Sequence, residues 1–186
     1  EHYETLTHDS IILSALEKRR LEFYLIKLKL LNSDTVLDVG CGYGRFSRLI
    51  RDNVKQIIGI DINPDNIAYA KEFVGPKFEG QVVDLSPGIL PFADNSINKI
   101  VIDNVLMFFD KSTQIAILKE SKRVLKEGGV VIFNIENSDY FLKSISSLFF
   151  SLYRLKAKMQ GKVFATHNKY PIDFYEKALM ELGFAE

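Results

Sequence analysis

Three glycines stand at alternate positions directly after a short apolar run, in the stretch Asp38-Val39-Gly40-Cys41-Gly42-Tyr43-Gly44-Arg45. At the end of a strand, such a turn lets the backbone approach a ligand closely, because glycine carries no side chain. A dinucleotide site would place its third glycine one residue later, where Arg45 stands, and Asp38 also departs from that pattern. The spacing therefore favours a ligand-binding turn and disfavours a nicotinamide-dependent oxidoreductase.

One acidic residue stands at the end of each of the first three apolar runs, namely Asp38, Asp61 and Asp84. A carboxylate at Asp61 is suited to accept hydrogen bonds from both hydroxyls of a ribose. The carboxylate of Asp84 and the backbone amide of Leu85 are suited to a purine edge. Taken alone, each acid is as readily a turn or helix-capping residue. Together they predict three polar groups along one crevice.

Short apolar runs alternate with helical patterns and predict the scaffold for these groups. The predicted strands are 35–39, 56–60, 81–83, 99–102 and 130–133. The predicted helices are 9–31, 46–53, 64–73, 112–126 and 171–182, with Asn63 as an N-cap and Gly183 as a stop signal. Nearly all-apolar strands that alternate with helices indicate an α/β fold, a Rossmann-like doubly wound sheet of mostly parallel strands with helices on both faces.

The composition is that of one globular domain, since 186 residues are 47% hydrophobic and carry 24 basic and 24 acidic side chains. The zero net charge lacks the basic excess of nucleic-acid-binding proteins, so no nucleic-acid partner is expected, although a local patch stays open. Cys41 is the sole cysteine and no secretory signal pattern opens the chain, so a cytoplasmic location is expected. The three histidines are too scattered for a metal site.

Four motifs follow one another between Thr35 and Asn134. They are Val36–Phe46 around the Gly-rich turn, Gly59–Pro64, Asp84 with Leu90–Ser96, and Leu125–Gly129. In this order they resemble a class I S-adenosylmethionine-dependent methyltransferase of the small-molecule, type 11 kind. The resemblance implies methyl transfer from S-adenosyl-L-methionine to a small-molecule acceptor, with S-adenosyl-L-homocysteine as product. The alternative is a non-catalytic S-adenosylmethionine-binding or partner-binding module of the same fold.

The resemblance implies that nine residues bind the cofactor, namely Asp38, Gly40, Cys41, Gly42, Asp61, Ile62, Asp84, Leu85 and Asn104. Asp38 and the backbone of the Gly-rich turn would hold the methionine part, and Asp61 the ribose hydroxyls. Ile62 would pack on the adenine face, with Asp84 and Leu85 at its edge. Asn104 would lie near the sulfonium. Cys41 would pack as a small residue and would not act as a nucleophile.

Methyl transfer is an in-line displacement at an activated carbon, so a base is needed only when the acceptor must lose a proton. The candidate catalytic residue is His167, which precedes the last predicted helix in a region that often lines the acceptor pocket of related enzymes. A solvated loop histidine is the alternative interpretation. Asp103, Glu136 and Tyr170 are further candidates.

The segment 138–170 carries six basic residues and one acidic residue, a formal charge of +5, and contains an amphipathic helical pattern over 139–159. One hypothesis is that it caps the acceptor pocket and favours an apolar or anionic acceptor. The alternatives are a helix packed on the sheet with a solvated basic face, and peripheral membrane contact through 139–160.

These patterns divide a single methyltransferase domain, 1–186, into four parts. The parts are a leading helical segment (1–34), a cofactor-binding core (35–135), the amphipathic insert (138–170) and a last helix (171–186). The sheet of the family ordinarily has seven strands, and residue 186 falls where the sixth would begin. We therefore expect the last two strands to be absent and the domain to be truncated at its C-terminus.

Overall fold

The computed structural model describes residues 8–135, 168 and 170–184, in which the strands form one parallel sheet. The strands are β1 (Thr35–Val39), β2 (Gln56–Asp61), β3 (Phe78–Val82), β4 (Ile97–Ile102) and β5 (Leu125–Phe133). Their order is β3-β2-β1-β4-β5, and each neighbouring pair is parallel. The strand order reverses between β1 and β4, where such a sheet opens a crevice at its carboxyl edge. The predicted doubly wound α/β fold is confirmed.

Helices cover both faces of the sheet. They are α1 (His8–Leu28), α2 (Arg45–Ile50), α3 (Pro64–Val74), α4 (Lys111–Val124) and α5 (Ile172–Glu181). Val36 and Leu37 are successive residues of β1, and both are fully buried on opposite faces. Val36 belongs to the cluster of Leu28 in α1, whereas Leu37 belongs to the cluster of Ile117 in α4. A strand covered on both faces explains why its sequence is almost continuously apolar.

Local capping fixes where two of these helices begin. The side chain of Asn63 accepts a hydrogen bond from the Asp65 amide at 2.9 Å, and Pro64 occupies the first helical position of α3, as the sequence predicts. Asp110 caps α4 in the same way, because its carboxylate accepts a hydrogen bond from the Thr113 amide at 2.8 Å. Each cap starts its helix just after the carboxyl-edge loops that form the crevice.

Two strands, β3 and β5, begin three or more residues earlier than predicted. β3 lies at Phe78–Val82 and not at 81–83. This edge strand buries Phe78 and Gly80, while Glu79 and Gln81 face outward. Because these polar residues alternate with the buried ones, the sequence lacks the apolar run by which the other strands were predicted. β5 begins at Leu125, five residues earlier than predicted, because Leu125 pairs with Ile97 before an irregularity in the ladder and α4 has already ended at Val124.

One further prediction concerns another part of the molecule. The amphipathic segment predicted at 138–170 lies outside the described residues apart from Asn168 and Tyr170. Within the described part of the chain, none of the helices combines the length and apolar character that crossing a membrane requires.

Candidate functional site

Two cavities adjoin at the carboxyl ends of β1, β2 and β4. The first has a volume of about 330 Å³ and lies between the ends of β2 and β3 and the turn after β4. The second has a volume of about 230 Å³ and lies between the Gly-rich turn, α1 and the end of β4. Gly40 and Asn104 line both cavities. The two spaces therefore form one bent cleft at the point where the strand order reverses.

The Gly-rich turn forms the floor of this cleft. Gly40 has a φ of +66°, and a Cβ atom there would overlap the Cγ2 methyl of Val105. Gly42 has a φ of +50° and no atom within 4 Å of such a Cβ, so open space borders it. The glycine at position 40 permits close packing, and that at position 42 leaves the backbone accessible to a ligand.

The Asp61 carboxylate is held at the cleft by three donors. Its Oδ2 accepts a hydrogen bond from the Gly42 amide at 2.9 Å. Its Oδ1 accepts from the Asn63 amide at 2.9 Å and from Asn66 Nδ2 at 3.1 Å. These bonds join the end of β2 to the Gly-rich turn and to the start of α3. The carboxylate is therefore oriented before any ligand hydroxyl reaches it, as pre-organised binding requires.

The first cavity has a mainly apolar wall and one acidic corner. Its apolar side chains come from three loops and are Ile62, Val83, Leu85, Val105, Phe108 and Phe109. Ile62 is 65% exposed, which leaves its side chain available to cover a flat ring. At the corner, Asp84 accepts a hydrogen bond from the Ser86 amide at 2.8 Å, and the hydrogen bonds from Ser86 lower the pKa of that carboxyl. The lining suits a planar heterocycle with a polar edge.

Asp38 is buried at the second cavity beside the first turn of α2. Ser47 Oγ donates a hydrogen bond to Asp38 Oδ2 at 2.6 Å. Burial raises the pKa of Asp38 to about 6. The hydrogen bonds from Ser47 lower this pKa, and the negative charges of Asp103 and Asp61 raise it further. A positively charged ligand group in this cavity would stabilise the ionised form of the carboxyl.

Helix α1 closes the second cavity through a pair of donors that the sequence analysis did not identify. Arg20 Nη2 donates to Asp103 Oδ2 at 3.0 Å, and the Tyr24 hydroxyl donates to Asp103 Oδ1 at 2.9 Å. Arg20 Nε is buried and lies 3.0 Å from Oδ1 without being aligned to donate to it. Burial and the Asp103 charge raise the pKa of Tyr24, so the phenol stays protonated as a donor. Asp103 therefore holds α1 against the cleft.

Asn104 stands where the two cavities meet, with a left-handed φ of +58°. Its backbone amide donates to Asn134 Oδ1, and Asn134 Nδ2 donates to Asn104 Oδ1 at 2.6 Å. This reciprocal pair ties the end of β4 to the residue that follows β5. Asn134 was not predicted, because nothing in its local sequence indicates a partner in another loop.

Cys41 lies inside the core behind the Gly-rich turn. Burial, together with the charges of Asp38 and Asp61, raises the pKa of its thiol well above the usual range. The sulfur makes only a long contact with the Gly42 carbonyl oxygen, at 3.7 Å. A thiol held protonated in this way is a poor nucleophile.

The predicted base, His167, and the further candidate Glu136 lie outside the described residues. The neighbouring Asn168 is described, and it is anchored twice to the turn after β4. Its amide donates to the Met107 carbonyl at 2.8 Å, and its Nδ2 donates to the Phe109 carbonyl at 2.8 Å. No group of residues in the described ranges has the composition of a metal site.

A parallel sheet with this strand order, a Gly-rich turn after β1 and acids at or near the carboxyl ends of β1, β2 and β3 defines a Rossmann-like domain. The model of the methyltransferase domain family matches residues 37–133, and the chain belongs to this family. The resemblance to class I S-adenosylmethionine-dependent methyltransferases is thereby confirmed.

Similar proteins agree with this assignment. An uncharacterized protein of Methanocaldococcus jannaschii is 32% identical over 149 residues, which are 80% of this chain and 63% of that protein. An uncharacterized methyltransferase of Mycobacterium tuberculosis is 35% identical over 103 residues, covering 54% of this chain and 38% of its own length. The chain thus spans between about two fifths and three fifths of these relatives. A S-adenosylmethionine-dependent methyltransferase from Archaeoglobus fulgidus shares the fold, with a TM-score of 0.68 at 22% identity, over 92% of this chain and 69% of that one.

Proposed function

We propose that this chain is the catalytic domain of an S-adenosylmethionine-dependent methyltransferase that acts on a small-molecule acceptor. The observation that carries the proposal is the bent cleft, whose two cavities differ in character and meet at Gly40 and Asn104. The cofactor has the same division, with an adenosine part and a charged amino-acid part joined at the sulfonium. In the proposed division of the chain, a leading helical segment (1–34) precedes the cofactor-binding core (35–135), and the amphipathic insert (138–170) and a last helix (171–186) follow it.

The adenosine part fits the first cavity. Asp61 would accept hydrogen bonds from the ribose hydroxyls, because its oxygens are already aimed at the cleft by their backbone donors. Ile62 would cover one face of the adenine, while Asp84 and the Leu85 amide would meet its polar edge. The apolar wall would exclude water from the ring.

The amino-acid part fits the second cavity, whose lining is mostly polar. Asp38 is a buried carboxyl that a cationic ammonium would stabilise. The backbone at Gly40, Cys41 and Gly42 would offer polar groups at close range, because open space borders Gly42 and the glycines carry no side chain of their own. Asn104, at the junction, would lie beside the sulfonium.

When bound, the cofactor supplies a methyl group that its sulfonium already activates for displacement. The residues of this chain then contribute position and exclusion of water, which are the main requirements of an in-line displacement. Asp103 serves as a positioning residue in this scheme, because it holds Arg20 and Tyr24 of α1 over the second cavity.

We assign the role of base, for acceptors that must lose a proton, to His167. The support is that the following residue, Asn168, is hydrogen-bonded to the turn after β4, and that Asn104, just before this turn, lines both cavities. The amphipathic pattern and the formal +5 charge of 138–170 favour an acceptor that is apolar or anionic.

Calorimetric titration with S-adenosylmethionine, S-adenosylhomocysteine and NAD tests the cofactor assignment. The two methionine-derived ligands should bind and NAD should not. Asp61→Ala should weaken their binding at least tenfold, because each lost hydrogen bond to a charged group contributes about 1.5–3 kcal/mol. Asp65→Ala, which removes an exposed acid a turn away, is the matched control and should leave binding within about twofold. Tight NAD binding, or equal losses in both variants, would contradict the assignment.

Transfer of a labelled methyl group to the components of a metabolite extract tests the acceptor class. Label in the low-molecular-mass fraction, reduced at least tenfold by His167→Ala for hydroxyl acceptors, supports the proposal. Label confined to macromolecules would refute the small-molecule acceptor. Normal cofactor binding with no transfer to any fraction would favour the non-catalytic module.

A further inference from the structure

Helix α1 carries apolar side chains on two opposite sides. On the inner side, Tyr24 and Leu28 are buried against the sheet. On the outer side, Phe23 is 52% exposed and Ile26 is 71% exposed, one helical turn apart. Leu31, three residues beyond the end of the helix, is also exposed. The inner side packs α1 on the domain, and among the described residues neither Phe23 nor Ile26 belongs to a core cluster.

Basic residues predominate among the exposed charged residues around these apolar side chains. Between positions 18 and 31 the exposed charged residues are Lys18, Arg19, Glu22, Lys27 and Lys29, four basic residues and one acidic residue. Lys27 Nζ lies 5.5 Å from the centre of the Phe23 ring, so the cation and the apolar side chain present one continuous surface. The outer side of α1 is therefore an apolar ridge with a cationic border.

This combination indicates which kind of partner fits. A nucleic acid would gain little from an exposed isoleucine at the centre of the surface, because its backbone is polar and charged. Protein interfaces are depleted in lysine relative to the rest of the surface. An apolar ridge bordered by lysine and arginine is typical of helices that lie in the interface of an anionic bilayer, where acyl chains meet the ridge and headgroups meet the cations.

We propose that the outer side of α1 docks on an anionic lipid surface. Phe23 and Ile26 enter the boundary between headgroups and acyl chains, while the four basic residues contact the anionic headgroups. The helix lies on the bilayer and does not cross it, since no helix in the described ranges is suited to spanning. Because Arg20 and Tyr24 on the inner side contact Asp103 at the second cavity, docking places the cleft beside the lipid surface. The proposal does not depend on methyl transfer.

Co-sedimentation of the full chain with vesicles tests the proposal. Vesicles of phosphatidylglycerol should bind the protein, vesicles of phosphatidylcholine should bind it at least tenfold more weakly, and raised salt should reduce the difference. The double variant Phe23→Ser, Ile26→Ser should lose at least tenfold in affinity. Its matched control is Ile172→Ser, Met180→Ser, which removes two exposed apolar side chains from α5 and should bind as the wild type does.

A second pair of variants tests the cationic border without altering the apolar ridge. Lys18→Gln and Lys27→Gln should each weaken binding to phosphatidylglycerol roughly fivefold, whereas Lys177→Gln in α5 should not change it. Circular dichroism and thermal unfolding should match the wild type in all variants.

Three results would overturn the proposal. The first is no binding to phosphatidylglycerol. The second is binding that the α1 and α5 variants change equally, which would place the lipid contact elsewhere on the chain. The third is a protein that does not bind vesicles but forms a concentration-dependent dimer, which the α1 double variant abolishes. In that case a second copy of the chain would occupy this surface.

Discussion

Replacing Gly40 by alanine should destabilise the protein much more than the same change two residues later. Both Gly40 and Gly42 have a left-handed φ, which costs an L-residue about 1–2 kcal/mol. Only at Gly40 does the new Cβ overlap another group, the Cγ2 methyl of Val105. Overpacking of this kind adds about 1–3 kcal/mol. We therefore expect a loss of about 2–5 kcal/mol in the free energy of unfolding for Gly40→Ala, against about 1–2 kcal/mol for Gly42→Ala.

Urea unfolding followed by circular dichroism measures both losses, and Val105→Ala supplies a test of their cause. Removing the Cγ2 methyl leaves the Val105 Cβ at 3.4 Å from the alanine Cβ, an acceptable contact. The double variant should therefore be about 1–3 kcal/mol more stable than the sum of the single losses predicts. Equal losses at the two glycines, or strictly additive losses at 40 and 105, would refute the reasoning.

Three substitutions test buried and partly buried polar groups by urea unfolding. Because burial raises the pKa of Asp38 to about 6, the folded state keeps a proton that an ordinary carboxyl releases near pH 4. The stability that this proton contributes is present below about pH 4 and lost by about pH 6. Relative to Asp38→Asn, the wild type should therefore lose up to roughly 3 kcal/mol in the free energy of unfolding over that range. Parallel curves of unfolding free energy against pH for the two proteins would contradict this. Asp103→Asn should cost about 1–3 kcal/mol, and less when Arg20→Gln is already present; an additive double variant would disprove the coupling. Tyr175→Phe should cost about 1–3 kcal/mol, because buried Gln114 Oε1 loses its donor at 2.7 Å, and an unchanged stability would count against that bond.

The parts of the site that the sequence predicted are those whose signal is local. The glycines of the turn and the acid at the end of β2 stand in short motifs, and a parallel sheet brings strand ends together at one edge. The structure accordingly places Asp61 within hydrogen-bonding distance of Gly42. The N-cap of α3, Asn63, was also predicted from local sequence, because an N-cap depends on the residues that immediately follow it.

The parts that the sequence did not predict depend on distant partners. Arg20 and Asp103 are 83 residues apart, and Asn104 and Asn134 are 30 residues apart. Each of these side chains has an unremarkable neighbourhood in the sequence, and only the packing of α1 and the pairing of β4 with β5 join them. β3 was misplaced for a related reason, since half of an edge strand is polar and resembles a loop.

The junction of the two cavities at Gly40 and Asn104 has a consequence for inhibitor design. Each cavity can be occupied by its own fragment, a flat heterocycle in one and a small cation in the other. Joining the two fragments by a bent linker turns the second binding event into an intramolecular one, so affinity rises through effective concentration and needs no new contact. The linker must pass Gly40 and Asn104, the two residues that line both cavities.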